Sequence, residues 1–142
     1  MDVSEVRRRL RAAIEQARRE AGDRRERSDE AARHYEQFLK ERAVPVLHTL
    51  ANALAAEGHR FKVFTPADSV RLAAERGGDD FIELALDSAQ DPPAVVLRTS
   101  HGRGRRHVAS ERAIAEGSAI ASLSEEDVLR AVLAEIGPFV GG

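Results

Sequence analysis

Hydrophobic spacing divides this chain into three stretches. Between residues 3 and 42 apolar positions recur at alternating steps of four and three: Leu10, Ile14, Ala17 and Ala21, then polar Arg24 and Ser28, then Ala31, Tyr35 and Phe38. A repeat near 3.5 residues marks a helix whose seam must be covered by another helix, because a lone helix cannot hide the stripe from water. Asp2 or Ser4 can cap its first N–H groups. Gly22 argues for a break, but one glycine costs only about 1 kcal/mol relative to alanine. The heptad count survives the polar stretch from Gly22 to Glu30, where Arg27 lies near Asp23 and Glu30 at helical spacing,. The spacing therefore predicts one continuous helix rather than two joined by a hinge. Pro45 removes a backbone donor and disfavours helical geometry at Val44, which predicts a kink or a new helix start. Val46, Leu47, Leu50, Ala53 and Leu54 then form a denser stripe, ending at Gly58, fit to lie on a sheet,.

From His59 the period changes to two. Phe61 and Val63 predict a first strand, followed by a turn at Thr65-Pro66-Ala67-Asp68. Val70, Leu72 and Ala74 predict a second, and Ile82, Leu84 and Leu86 a third,. A loop at Arg76-Gly77-Gly78 pairs Leu72 with Ile82, Val70 with Leu84 and Arg71 with Glu83, so apolar residues meet on one face and opposite charges on the other. Sliding by one residue would bury Glu83, which selects this register. Beyond the Gln90-Asp91-Pro92-Pro93 loop, Val95 to Thr99 and Arg106 to Ile114 predict a further hairpin around Gly102-Arg103-Gly104,. Ala119 to Leu123 reads as a short sixth segment. Ser124 and Asp127 form a capping box with Asp in place of Glu. Val128, Leu129, Val132, Leu133 and Ile136 build a closing amphipathic helix, stopped by Gly137-Pro138,.

The expected fold is α+β. A coiled-coil-like N-terminal arm (1–44) leads, through the kink near Pro45, into a compact domain (45–142) with an antiparallel meander of about five strands and a C-terminal helix packed on the sheet. The seam residues Leu10, Ile14, Ala17, Ala21, Ala31, Tyr35 and Phe38 are expected to carry self-association.

Composition narrows the chemistry. The chain of 142 residues has no cysteine, so thiolate metal sites, disulfides and cysteine nucleophiles are excluded,. Its apolar runs fall short of the ~20 residues that span a bilayer. The N-terminus lacks a signal-peptide apolar segment, so a cytoplasmic protein without membrane contact is expected. The net charge of −2 is segregated: 2–44 carries twelve basic against ten acidic residues, 45–91 four against eight, 92–114 five against one, and the remainder one against five. Patches of one sign can steer a partner, and they say nothing about fold.

The strongest site candidate is accordingly the basic hairpin: Arg98, His101, Arg103, Arg105, Arg106 and His107. Guanidinium forks on a projecting turn suit phosphate or carboxylate oxygens. The hairpin has no aromatic residue for base stacking. His101 and His107 lack an evident third ligand, so neither metal nor cofactor is expected. Asp79-Asp80 and Glu125-Glu126-Asp127 are explained by a turn and a helix start. The glycine-rich turns lack phosphate-loop context, and the serines lack a nucleophile elbow. The nine arginines of residues 7–27 suit a solvated coiled-coil flank. These readings predict a non-enzymatic homo-oligomer, most simply a dimer, that self-associates through its N-terminal helix and presents the hairpin to an acidic partner. Two alternatives share its layout. One is a nucleic-acid-binding protein using the same arginines, in the manner of small nucleoid-associated proteins. The other is a cytoplasmic secretion chaperone.

Overall fold

A computed structural model describes residues 1–76 and 79–141. Helix α1 (Val3–Phe38) runs without interruption through Gly22, as the heptad count predicts. Its N-cap is Asp2, whose carboxylate accepts from the Ser4 N–H at 3.2 Å. The five residues Leu39–Ala43 are wound as a π turn, and α2 (Val44–Ala56) follows with Pro45 in its first turn. Proline cannot donate, and its ring crowds the carbonyl one turn earlier. The wider turn absorbs this: the Val44 N–H donates to the Leu39 carbonyl, five residues back, and the backbone stays helical across the expected kink site,. Gly58, at φ +88°, ends α2 with Gly58 N–H donating to Ala55 and His59 N–H to Leu54, a Schellman arrangement that only a left-handed residue permits without strain,.

Five strands then form a meander in sequence order: β1 (Phe61–Phe64), β2 (Val70–Ala74), β3 (Phe81–Asp87), β4 (Ala94–Arg103) and β5 (Arg106–Glu116). The register expected between β2 and β3 is present, with Val70 opposite Leu84, Arg71 opposite Glu83 and Leu72 opposite Ile82. Gly77 and Gly78 of the expected turn lie outside the described residues. The loop before β4 passes through a cis Asp91–Pro92 peptide. A bulge at Val95/Val96 leaves Ile114 as the extra residue of β5,.

The short sixth segment, read over Ala119 to Leu123, is a 3₁₀ helix (Gly117–Ser122) with Ile120 fully buried. Its small residues let it tuck under α1, and Arg42 of the π turn donates to the Ala121 and Leu123 carbonyls. Helix α3 (Glu125–Glu135) opens on the predicted capping box: the Asp127 N–H donates to Ser124 Oγ and the Ser124 N–H to the Asp127 carboxylate. These bonds hold the Asp127 carboxyl below its ordinary range,. A single turn, α4 (Gly137–Val140), ends the chain.

One sheet face carries the core. Val70, Leu72, Ile82, Leu84, Val95 and Leu97 pack against Phe38, Leu47, Leu50, Ile120, Val128 and Val132. Large side chains of this kind, fully withdrawn from water, contribute about 1.5–3 kcal/mol each. The C-terminal part of α1 is integral to this layer, since Ala31, Tyr35 and Phe38 are 2%, 3% and 0% exposed. Helix α1 therefore joins the packed body at its C-terminal end, while Leu10 and Ile14 near its start are exposed.

Candidate functional site

The basic hairpin is held by β4 and β5. Its turn has two central residues, Gly104 at φ +65° and Arg105, closed by the Arg103–Arg106 pair. Glycine at the first central position with a negative φ after it is the type II′ geometry, which matches strand twist and leaves the tip projecting.

The six residues read from the sequence as one patch separate into three settings. Arg98 lies mid-strand and belongs to a row of alternating charges crossing four strands: Arg71 opposite Glu83, Glu83 opposite Arg98, and Arg98 opposite Glu111. Glu83 is 6% exposed, accepting from Arg71 Nε at 2.9 Å and Ser69 Oγ at 3.3 Å, with an Arg98 nitrogen at 3.8 Å. Arg71 also lies 3.9 Å over the Phe81 ring,. The Glu111 carboxylate, hydrogen-bonded to Arg98, raises the Arg98 guanidinium above its ordinary range despite partial desolvation,. Arg98 is thus held within the sheet by the Glu83 and Glu111 carboxylates. Sequence pairing shows only the first rung of this row; the others need the β3–β4 and β4–β5 registers.

The histidines are also engaged. His101 meets the Phe139 ring edge-on at 5.6 Å. His107 sits 3.6 Å from the Asp79 carboxylate, with Ser100 Oγ 3.4 Å from its other nitrogen. Arg103, Arg105 and Arg106 are exposed at the tip and form no ion pair among the described residues. Among the described residues no cluster of three or more His, Asp or Glu side chains could hold a metal ion.

The oligomerisation seam divides too. Leu10 and Ile14 are 57% and 41% exposed, Ala17 is exposed and Ala21 half-buried, and Val3 and Val6 add to the exposed apolar surface. Ala31, Tyr35 and Phe38 face the chain's own core instead, and the Tyr35 hydroxyl donates to the Asp68 carbonyl. Burial raises the Tyr35 phenol pKa, reinforced by the nearby Asp68 and Glu83 charges,. Arg27 and Arg24 reach the Asp91 carboxylate at 3.1 and 3.6 Å and mark where α1 meets the body. The Arg27 hydrogen bond lowers the Asp91 carboxyl below its ordinary range.

No helix among the described residues is long and apolar enough to cross a membrane. Comparisons with protein-family models, curated proteins and solved structures find no match for this chain.

Proposed function

We propose that this chain is a non-enzymatic, self-associating adaptor: its N-terminal helix pairs with that of a second copy, and its body holds out the arginine tip to an acidic partner. The observation that carries this reading is the exposed apolar stripe Val3, Val6, Leu10 and Ile14, which nothing among the described residues covers over the first five turns of the helix. Residues 3–23 extend roughly 30 Å at about 1.5 Å per residue, enough for three heptads,. Leucine and isoleucine supply about 1.5–3 kcal/mol each when buried, while Ala17 and Ala21 add little, so the association is weak and reversible. Glu83 is engaged by two arginines and a serine, and Ser124 by Asp127.

The test is light scattering on the full chain and on Leu10→Glu/Ile14→Glu. Both positions are exposed, so the double variant keeps the body intact; its mass should fall by half. An unchanged mass would overturn the reading. Removing residues 1–42 does not serve, because it deletes Tyr35 and Phe38 from the core.

The three tip arginines favour nucleic acid as a second reading of the partner. Duplex binding at low salt should then weaken steeply as salt rises, and vanish in Arg103→Gln/Arg105→Gln/Arg106→Gln. Binding that ignores salt or these substitutions would remove it.

A further inference from the structure

β5 is the last strand of the sheet, and its residues are exposed from Arg106 through Ala113. The turn geometry determines which way its peptide groups point. In a two-residue hairpin the closing pair, Arg103 and Arg106, is hydrogen-bonded, and bonded and non-bonded pairs alternate from there,. Arg106, Val108, Ser110 and Arg112 therefore bond to β4. His107, Ala109, Glu111 and Ala113 turn their N–H and C=O groups to the open side, where they meet no other backbone group among the described residues. The same alternation on β4 turns the Gly102 N–H away from β5, and it donates to Asp80 Oδ1 at 2.8 Å.

Exposed edges are normally protected by proline, bulges or free charges. Here the stretch 107–113 has no proline, and its bulge lies beyond it at Ile114. Its two formal charges are tied back into the chain, Glu111 to Arg98 and Arg112 to Glu135.

We propose that this edge pairs antiparallel with β5 of a second copy about a two-fold axis at Ser110, joining the two sheets into one. That axis sets His107 against Ala113 and Ala109 against Glu111, each pair exchanging two hydrogen bonds, with Val108 against the Arg112 stem between them. Centring on Ala109 would face Arg106 with Arg112, and centring on Glu111 would face that carboxylate with itself. Both put like charges directly opposite, which Ser110 avoids. The pairing also carries the tip Arg103, Arg105 and Arg106 of each copy to the far end of the other's β5. Glu116 stands there as the last residue of β5; Asp127 lines the groove beside Ile114 and Ala115, which Arg112 and Arg130 also line, with Arg130 3.7 Å from the Asp127 carboxylate. The basic 92–114 segment thus meets the acidic 116–127 segment twice by symmetry. This names the acidic partner that the proposed function assigns to the tip, and rests on that part of it; it is independent of the arm.

The absence of cysteine makes the test clean. At the axis the two Ser110 residues form a non-hydrogen-bonded pair, with Cα atoms about 4.5 Å apart, inside the disulfide range of about 4.4–6.8 Å. The two Val108 residues would lie roughly 14 Å apart, four residues of strand rise. Under mild oxidation, full-length Ser110→Cys should give a covalent dimer and full-length Val108→Cys should not, and raised salt should slow the link. Cross-linking of both alike, or of neither, overturns the edge pairing. The comparison is repeated with Leu10→Glu/Ile14→Glu added: a persistent Ser110→Cys dimer supports the edge, and its loss overturns it. Failure of the arm reading looks different: with the edge blocked by Ala109→Pro, which removes an outward N–H, the arm substitutions would leave the scattering mass unchanged.

Discussion

The two halves of α1 carry one heptad pattern and meet opposite environments. Leu10 and Ile14 point into solvent, whereas Tyr35 and Phe38 occupy positions of the same series and are almost wholly buried. The difference lies not in the period but in what the rest of the chain places alongside. The 3₁₀ segment, α2 and the sheet arrive beside residues 31–38, and nothing among the described residues arrives beside residues 3–21. A seam at coiled-coil spacing thus states that a helix face will be covered, and leaves open whether its own domain or another molecule covers it.

The largest expected effect is the asymmetry itself. Phe38→Ala should destabilise the fold by about 3–5 kcal/mol in urea denaturation, as for other buried aromatics, while Leu10→Ala at a concentration low enough to keep chains apart should change stability by less than about 0.5 kcal/mol. Equal effects would break the comparison. Tyr35→Phe keeps the ring and removes the bond to the Asp68 carbonyl, so a loss of about 1 kcal/mol is expected, read from the same denaturation curves,. Gly22 joins the halves and has open space around its Cβ position. Gly22→Ala should therefore raise helicity and stabilise by up to about 1 kcal/mol, and a loss of stability would mean that the helix bends there in solution.

The smallest effect sharpens the boundary at Arg24 and Arg27. The Asp91 carboxyl is depressed by its Arg27 hydrogen bond. Its contribution is therefore complete above the ordinary carboxylate range and is lost as pH falls through the depressed folded value. Hydrogen exchange of the α1 amides near residues 24–31 should speed up in that acidic window, and Asp91→Asn should remove the pH dependence. High salt should mask it, because the pair is exposed.

Much of this architecture is legible in the residues alone. Period-two alternation and the opposed charges of Arg71 and Glu83 specify the β2–β3 register, and Ser124 with Asp127 specifies the start of α3, because each is a local pattern with one low-energy solution. The candidate site is less legible. Arg98, His101 and His107 look like one basic patch with Arg103, Arg105 and Arg106, since a linear reading cannot show that strand parity and register hand Arg98 to Glu83 and Glu111. The sixth segment was equally ambiguous: short runs of small and apolar residues do not distinguish an edge strand from a 3₁₀ turn until a neighbouring helix takes the buried isoleucine.

The sequence by itself determined the helices, the strands, their order and one register, all of which follow from side-chain period, capping and turn chemistry. Only the tertiary structure decided which half of the α1 seam is core and which is exposed, that Glu83 is buried between arginines, and that β5 ends the sheet with alternate peptide groups meeting no other backbone group among the described residues. Those outcomes depend on contacts between residues far apart in the chain, and a helix or strand presents the same face whichever surface finally covers it.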